Sequence, residues 1–239
     1  MQSQEYEKAF EKSLNYLAQR HGIRQVFEAV IDLTLFNLIL TDEAGLRKNP
    51  LQDYTEDEKQ ELIKCLEALG EIMENGGQGM YDALGDLFME YLSFGKNGQF
   101  FTPQPICDAM CLMTLGTPED GKTVCDPTCG SGRMLLGAAK INRKMIFFGS
   151  DVDLLCVKMT VLNLALNNLV GEIVWGNPLT LEVWASFHIR REFLVGFPII
   201  FIQKESNQFG KLQSSLKTTK NDQKTEIENK PVQLTLFDQ

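Results

Sequence analysis

The seven residues Asp126-Pro127-Thr128-Cys129-Gly130-Ser131-Gly132 have the types and spacing in this chain best suited to holding a ligand. Gly130 and Gly132 carry no Cβ, so the backbone there can take positive φ and a ligand can approach the main chain closely. Ahead of them, Thr123-Val124-Cys125 is a short apolar, partly β-branched run, and behind them residues 133–140 have helix-forming composition. The glycines therefore stand at a strand-to-helix junction, where the free N–H groups of the first helical turn point at whatever occupies the crevice. The spacing is neither that of Gly-x-Gly-x-x-Gly nor that of a phosphate loop ending in Gly-Lys-Ser/Thr. About twenty residues further on, Met145-Ile146-Phe147-Phe148 reads as a second strand ending at Ser150-Asp151, where a doubly wound sheet places the carboxylate that takes ribose hydroxyls. Asp151 is the candidate for that role, with Val152 beside it.

The elements that must position these residues follow from the flanking pattern. Asp153 caps an expected helix over 154–169, Gly171 closes it, and Ile173-Val174-Trp175 forms a third strand ending at Gly176-Asn177. A fourth apolar run covers 193–202, so about four strands fit, and 203–239 is too polar to offset the cost of ordering it and is expected to be a flexible tail. Upstream, 5–20 and 23–40 carry apolar residues at helical intervals on either side of Gly22. Thr55-Glu56-Asp57-Glu58 opens a third helix running to about residue 74, and Gly76-Gly77-Gln78-Gly79 breaks it. The expected organisation is a helical domain over 1–79, an α/β domain over 80–202 and the tail. The helical piece either contacts partners or simply covers one face of the sheet.

The stretch from Tyr81 to Leu179 resembles the S-adenosylmethionine-dependent adenine-N6 DNA methyltransferases, most closely the modification (methylation) subunit of type I restriction systems. Met80-Tyr81-Asp82-Ala83-Leu84-Gly85-Asp86-Leu87-Phe88 is similar to that family's helix leading into the catalytic domain, and Gly98-Gln99-Phe100-Phe101-Thr102-Pro103 to its Phe-Thr-Pro cofactor motif. The glycine-rich loop corresponds to its principal cofactor motif, Asp151 to the acidic residue after the second strand, and Gly176-Asn177-Pro178-Leu179 to the motif that meets the cofactor's adenine. The resemblance implies a Rossmann-like methyltransferase sheet binding S-adenosylmethionine. It implies cofactor contacts at Phe101, Thr102, Pro103, Asp126, Pro127, Cys129, Gly130, Ser131, Gly132, Asp151, Val152, Asn177 and Leu179, with DNA and a further subunit as partners.

The family's Asn/Asp-Pro-Pro-Tyr/Phe motif is missing after the fourth strand, where the only proline, Pro198, follows Phe197. In the family, that motif's side-chain and carbonyl oxygens accept from the target amine, and its aromatic ring stacks on the flipped base. Either Asn177 and Pro178 serve as the catalytic residues instead, or this is a shortened relative that keeps the cofactor half of the site and lacks the base-holding half. Two functional classes stay open: a methyltransferase completed by another chain, and a non-catalytic module that keeps the cofactor fold and acts through partners.

Composition constrains these classes. A net charge of −9 argues against an autonomous DNA clamp, since phosphate neutralisation supplies most non-specific affinity. No export signal or membrane-length apolar run is visible, and the six cysteines fit reduced thiols in the cytoplasm. Cys107, Cys111, Cys125 and Cys129 invite comparison with a zinc site, but a metal between the last two would block the loop, so no metal is expected. His21 and His188 lack a metal or catalytic context. The tail ends in Gln233-Leu234-Thr235-Leu236-Phe237, which is similar to the peptide by which bacterial replication proteins dock on the sliding clamp; the same residues also alternate like a terminal strand.

Overall fold

The computed structural model describes residues 2–93, 100–191 and 198–206. Two helices open the chain, α1 (Gln2–His21) and α2 (Ile23–Leu38), broken at Gly22, whose φ of 79° is left-handed. α2 runs straight into a strand, β1 (Ile39–Asp42), and a third helix, α3 (Glu56–Glu74), packs along α1. A capping box starts α3: Glu58 N–H donates to Thr55 Oγ1 at 3.4 Å and Thr55 N–H donates to Glu58 Oε2 at 2.8 Å. Arg20 and His21 reach the same carboxylate at 3.0 and 3.2 Å, which ties the end of α1 to the start of α3.

The α/β portion follows: α4 (Ala83–Tyr91), α5 (Gln104–Leu115), β2 (Thr123–Asp126), α6 (Arg133–Ile141), β3 (Ile146–Asp151), α7 (Leu154–Leu166), β4 (Val170–Asn177), β5 (Glu182–Arg191) and β6 (Pro198–Gln203). The described strands make one sheet in the order β1-β6-β5-β4-β3-β2. β2, β3 and β4 are parallel neighbours, with Asp126 beside Gly149 and Asp151 beside Trp175. This β2-α6-β3-α7-β4 unit is a Rossmann-like half, and it brings the carboxyl ends of three strands to one edge. β5 and β6 then run antiparallel, and β1 closes the far edge parallel to β6.

Cross-strand partners share a face, so the sheet's two faces can be separated from register alone. Ile173, Phe187 and Ile202 line up across β4, β5 and β6 and are all buried in the main core. The alternate positions hold Glu172 opposite His188, with Ser186 beside them. α7 packs on β3 and β4 on one side and on α2 on the other, which explains why its residues are buried almost all round and carry no polar stripe.

Six described strands replace the expected four. The helix expected over 23–40 ends at Leu38 because Ile39, Leu40 and Thr41 are taken up by the edge of β6, and tertiary pairing outweighs the helical period there. β5 went unforeseen although Val183, Ala185, Phe187 and Ile189 alternate with Trp184, Ser186, His188 and Arg190 at strand period. The helix expected over 154–169 stops at Leu166, with Asn168 left-handed at φ 56°. Gly171 lies inside β4, where a Cβ would sit 1.9 Å from the Phe147 carbonyl oxygen; it permits close strand approach and does not cap the helix.

Of the fourth run over 193–202, only 198–202 falls in β6, and residues 193–197 lie outside the described residues. The polar tail does not start at 203. Gln203 ends β6, and Ser206 is buried with its Oγ 2.5 Å from Glu172 Oε1. The peptide 233–237 lies outside the described residues, as do Gly98 and Gln99. No helix among the described residues is long and apolar enough to cross a membrane.

Candidate functional site

The glycine-rich loop leaves β2 at Asp126 and enters α6 at Arg133. Gly130 and Gly132 both have positive φ, at 54° and 87°, the conformation for which they were read. The space a Gly130 Cβ would need is filled by the Phe101 ring, 2.9 Å away, so the Phe101-Thr102-Pro103 turn lies directly against the loop. Phe101 packs in turn on Phe88 of α4, with ring centroids 5.2 Å apart. Pro103 is the N-cap of α5, with φ −56° and ψ 139°.

The loop is pinned from several sides. Cys129 N–H donates to the Ser150 carbonyl at 2.9 Å, Ser150 Oγ donates to the Pro127 carbonyl at 2.7 Å, and Thr160 Oγ1 on α7 donates to the Gly130 carbonyl at 2.7 Å. Asp151 Oδ2 accepts from Gly130 N–H at 3.0 Å while its Oδ1 accepts from Asp153 N–H at 2.9 Å. The acidic residue after β3 is therefore coupled to the loop it was expected to complement. Asp153 caps α7 as expected, accepting from Leu155 N–H at 2.8 Å.

Asp126 accepts from Thr128 N–H at 3.1 Å. Burial nevertheless pushes its carboxyl above the ordinary aspartate value, with the Asp151 charge adding to the effect. Burial also pushes the thiols of Cys107, Cys111 and Cys129 upward, so they sit as neutral thiols at neutral pH, while Cys125 is exposed. Cys107 and Cys111 face α6, where a Cβ on Gly137 would lie 3.3 Å from Cys111 Sγ.

At the end of β4, Asn177 Oδ1 accepts from Leu179 N–H at 3.0 Å and from Thr180 N–H at 3.4 Å, a turn closed by its own side chain. Leu179 is 93% exposed and Val152 is 54% exposed. Trp175 Nε1 donates to the Val152 carbonyl at 3.2 Å and its ring packs edge-on against Trp184, so Trp175 is a half-buried flank of the crevice and not deep core. His188 lies buried away from the loop against Ser186 Oγ, and burial, reinforced by Arg190, lowers its pKa in spite of Glu172.

The structure thus gathers 101–103, 126–132, 151 and 152 into one continuous patch, with 177 and 179 one strand further along. A groove of about 370 Å³ opens on the other flank of the loop between α5 and β2, lined by Thr102, Cys111, Asp126, Thr128 and Met134 among others. A larger groove, about 630 Å³, lies between α1 and α3 and touches none of these residues.

Sequence reasoning missed Asp82, Asp86, Arg133, Asn163 and Thr160. Asp82 caps α4 through Gly85 N–H at 2.9 Å and also accepts Ser131 Oγ at 2.5 Å, Arg133 Nε at 2.8 Å and Asn163 Nδ2 at 2.7 Å. One signal for Arg133 was present: a cation as the first residue of a helix faces the positive end of the helix dipole and needs partners to be retained. Burial works against its charge, yet Asp82 and Asp86 outweigh burial and hold its pKa above the ordinary guanidinium value.

Comparison with known proteins agrees with the sequence resemblance. Residues 80–194 match the family model described as N-6 DNA Methylase. Over 133 residues the chain is 26% identical to the type I restriction enzyme MpnII methylase subunit of Mycoplasma pneumoniae, an overlap of 50% of this chain and 24% of that protein. The chain thus spans about a quarter of that relative's length. Among solved structures, the methyltransferase subunit of a type I restriction-modification system from Streptococcus thermophilus matches with a TM-score of 0.37 and 22% identity, over 51% of this chain and 28% of that one. A putative class I S-adenosylmethionine-dependent methyltransferase from Listeria monocytogenes matches with a TM-score of 0.44 and 14% identity, over 72% and 52% of the two chains. The segment 80–194, which carries the glycine-rich loop, Asp151 and Asn177, is thus the part of the chain that is similar to the N-6 DNA methylases.

Proposed function

We propose that this protein binds S-adenosylmethionine in the crevice at the carboxyl ends of β2, β3 and β4. We further propose that it serves adenine-N6 methylation of DNA in the cytoplasm, in the manner of a type I methylation subunit, with the base-holding residues supplied by another polypeptide. The observation that carries the reading is the bare backbone at Gly130 and Gly132, backed by Asp151 on the neighbouring strand.

The residues present fit the cofactor. Positive φ at both glycines turns the backbone into the crevice, with Phe101 and Thr160 packed where their Cβ atoms would stand, and the first turn of α6 offers free N–H groups. Asp151 spends one lone pair of each oxygen on the Gly130 and Asp153 N–H groups and keeps acceptor capacity for two ribose hydroxyls. Val152, Trp175 and Leu179 supply apolar contact for a purine ring, and the Asn177 turn sets their spacing. S-adenosylmethionine, once bound, supplies an electrophilic methyl group on sulfur. The chain's own residues hold and orient: the Phe101-Thr102-Pro103 turn walls one side of the loop, and Thr160 and Ser150 fix its backbone from behind.

Two observations favour a site completed by another polypeptide over catalysis by Asn177 and Pro178. The Asn177 oxygen that would accept from a target amine is already committed to two backbone N–H groups. On the other flank, β2 is an edge strand of the described sheet, and the adjoining α5 leaves Ile106, Met110 and Met113 exposed along one side. An acidic chain also gains from a partner that carries the DNA contacts. The sliding-clamp peptide, if used, would be a further partner site in the tail. The missing base-holding motif equally supports a non-catalytic module, and methyl transfer from labelled cofactor to DNA, with and without a candidate partner, separates the two.

The first test is calorimetric titration with S-adenosylmethionine. Binding that Asp151→Ala weakens at least about tenfold, equivalent to about 1.4 kcal/mol, is the expected result; no binding by the unmodified protein overturns the proposal.

A further inference from the structure

Of the residues expected to meet a ligand, the buried polar cluster around Asp82 and Arg133 touches only Ser131 and the Thr102 backbone, yet it joins α4, the turn before α5, the start of α6 and α7. Asp82 is 1% exposed, and its two oxygens take four donors from three parts of the chain. Arg133 spends its remaining nitrogens on Asp86 at 2.6 Å and on the Thr102 carbonyl at 3.3 Å. One guanidinium therefore bridges α4, the turn before α5 and the first residue of α6. Asn163 on α7 completes the bracket by also donating to the Ser131 carbonyl at 2.8 Å.

The close approach is built into the backbone. A Cβ on Gly85 would lie 2.0 Å from Asp82 Oδ2 and 2.6 Å from Ser131 Oγ, so α4 can reach the loop only with glycine at that position. Buried ion pairs are weak contributors to net stability, and apolar side chains of similar volume often serve a core as well. A planar fork does what an apolar group cannot, because it fixes direction toward several acceptors at once.

We propose that Asp82 and Arg133 are a positioning pair: they hold the Phe101-Thr102-Pro103 turn and the glycine-rich loop in one fixed relation and thereby set cofactor affinity. The effect on affinity rests on the cofactor reading above; the mechanical coupling of the two segments does not. Neither residue is assigned a contact with the cofactor. Their action runs through Thr102, Ser131 and the loop backbone.

The test uses Arg133→Lys, which keeps the charge but cannot span the three acceptors, and Asp82→Asn. Thr55→Ala is the destabilised control remote from the loop. Cofactor affinity is measured by calorimetry and amide hydrogen exchange is measured on the ligand-free protein, both well below each variant's melting temperature. Arg133→Lys is expected to weaken S-adenosylmethionine binding at least about tenfold and to speed exchange at 100–107 and 128–132 together, while Thr55→Ala moves neither. The two site variants combined are expected to do no more than the stronger single one. Unchanged affinity, or faster exchange in one segment without the other, overturns the pairing. An unmodified protein that binds no cofactor overturns the functional reading alone, and the exchange data then decide the coupling. Should Arg133→Lys fail to fold, Asp86→Asn removes a half-exposed partner of the same guanidinium and is expected to give the same joint exchange signature at smaller amplitude.

Discussion

The two ends of the crevice are built in different ways. After β2, the glycine-rich loop is held by groups from β3, α4 and α7, most of them buried, and by the Phe101 ring on its outer side. After β4, the turn at Asn177 is held by its own side chain and leaves Leu179 standing in solvent. The first end has its shape before any ligand arrives, because each backbone group is fixed by a partner distant in sequence. The second is shaped locally and owes little to the rest of the fold. The contrast teaches that the two ends of the proposed site can fail independently: one through stability, the other through affinity alone.

The largest expected effect tests the first end. Asp82→Ala leaves the Arg133 guanidinium, the Ser131 hydroxyl and the Asn163 amide without their common acceptor, and is expected to cost about 3–5 kcal/mol in a denaturant titration. A loss under about 1 kcal/mol would mean that water replaces the carboxylate and that the loop is not tightly held.

Next comes the capping box of α3, far from the crevice. Thr55→Ala is expected to lower stability by about 1 kcal/mol with cofactor affinity unchanged. The Thr55 backbone N–H, with the Thr55, His21 and Arg20 side chains, holds Glu58 down at about 2 against the cost of burial. A depressed carboxyl stabilises the fold above its unfolded value of 4.5, and that contribution is lost as pH falls toward about 2. Acid unfolding of Glu58→Gln should therefore lack this part of the pH dependence.

Asp126→Asn bears on the cost of the preformed end. Burial raises the Asp126 carboxyl, so its charge disfavours the folded state at neutral pH, and the cost vanishes as pH falls through the folded pKa toward the ordinary 3.8. The variant is expected to melt at a higher temperature than the parent at pH 7, with the difference closing in acid. A parent that melts higher at pH 7 would show that Thr128 N–H more than repays the burial.

The smallest expected change in stability lies at the second end. Asn177→Ala removes two bonds from an exposed turn and should cost less than about 1 kcal/mol, while weakening cofactor binding. A variant that loses methyl transfer but keeps cofactor affinity would instead restore Asn177 as a catalytic residue.

What the sequence revealed and what it hid divide along the same lines. Gly130, Gly132, Asp151 and the cap at Asp153 could be read because local backbone chemistry dictates them: a left-handed turn wants glycine, and a helix start wants an acceptor. β5 was also written in the sequence as an alternation of Val183, Ala185, Phe187 and Ile189, hidden by the charged and polar residues between them. The Asp82–Arg133 pair could not be read from spacing, because its members stand 51 residues apart and meet only once α4 lies against α6.

By itself, the sequence determined the order of elements through the parallel half, the glycine-rich turn from β2 into α6 and the likeness of residues 80–194 to the N-6 DNA methylases, since these rest on short-range preferences and contiguous motifs. Tertiary structure alone decided that Ile39–Asp42 joins the sheet, that Gly171 serves strand contact and not a helix end, and that Arg133 is a bridge. Each of those depends on which partner fills a hydrogen-bonding edge or a buried charge, and the partner is set by packing of residues far apart in the chain.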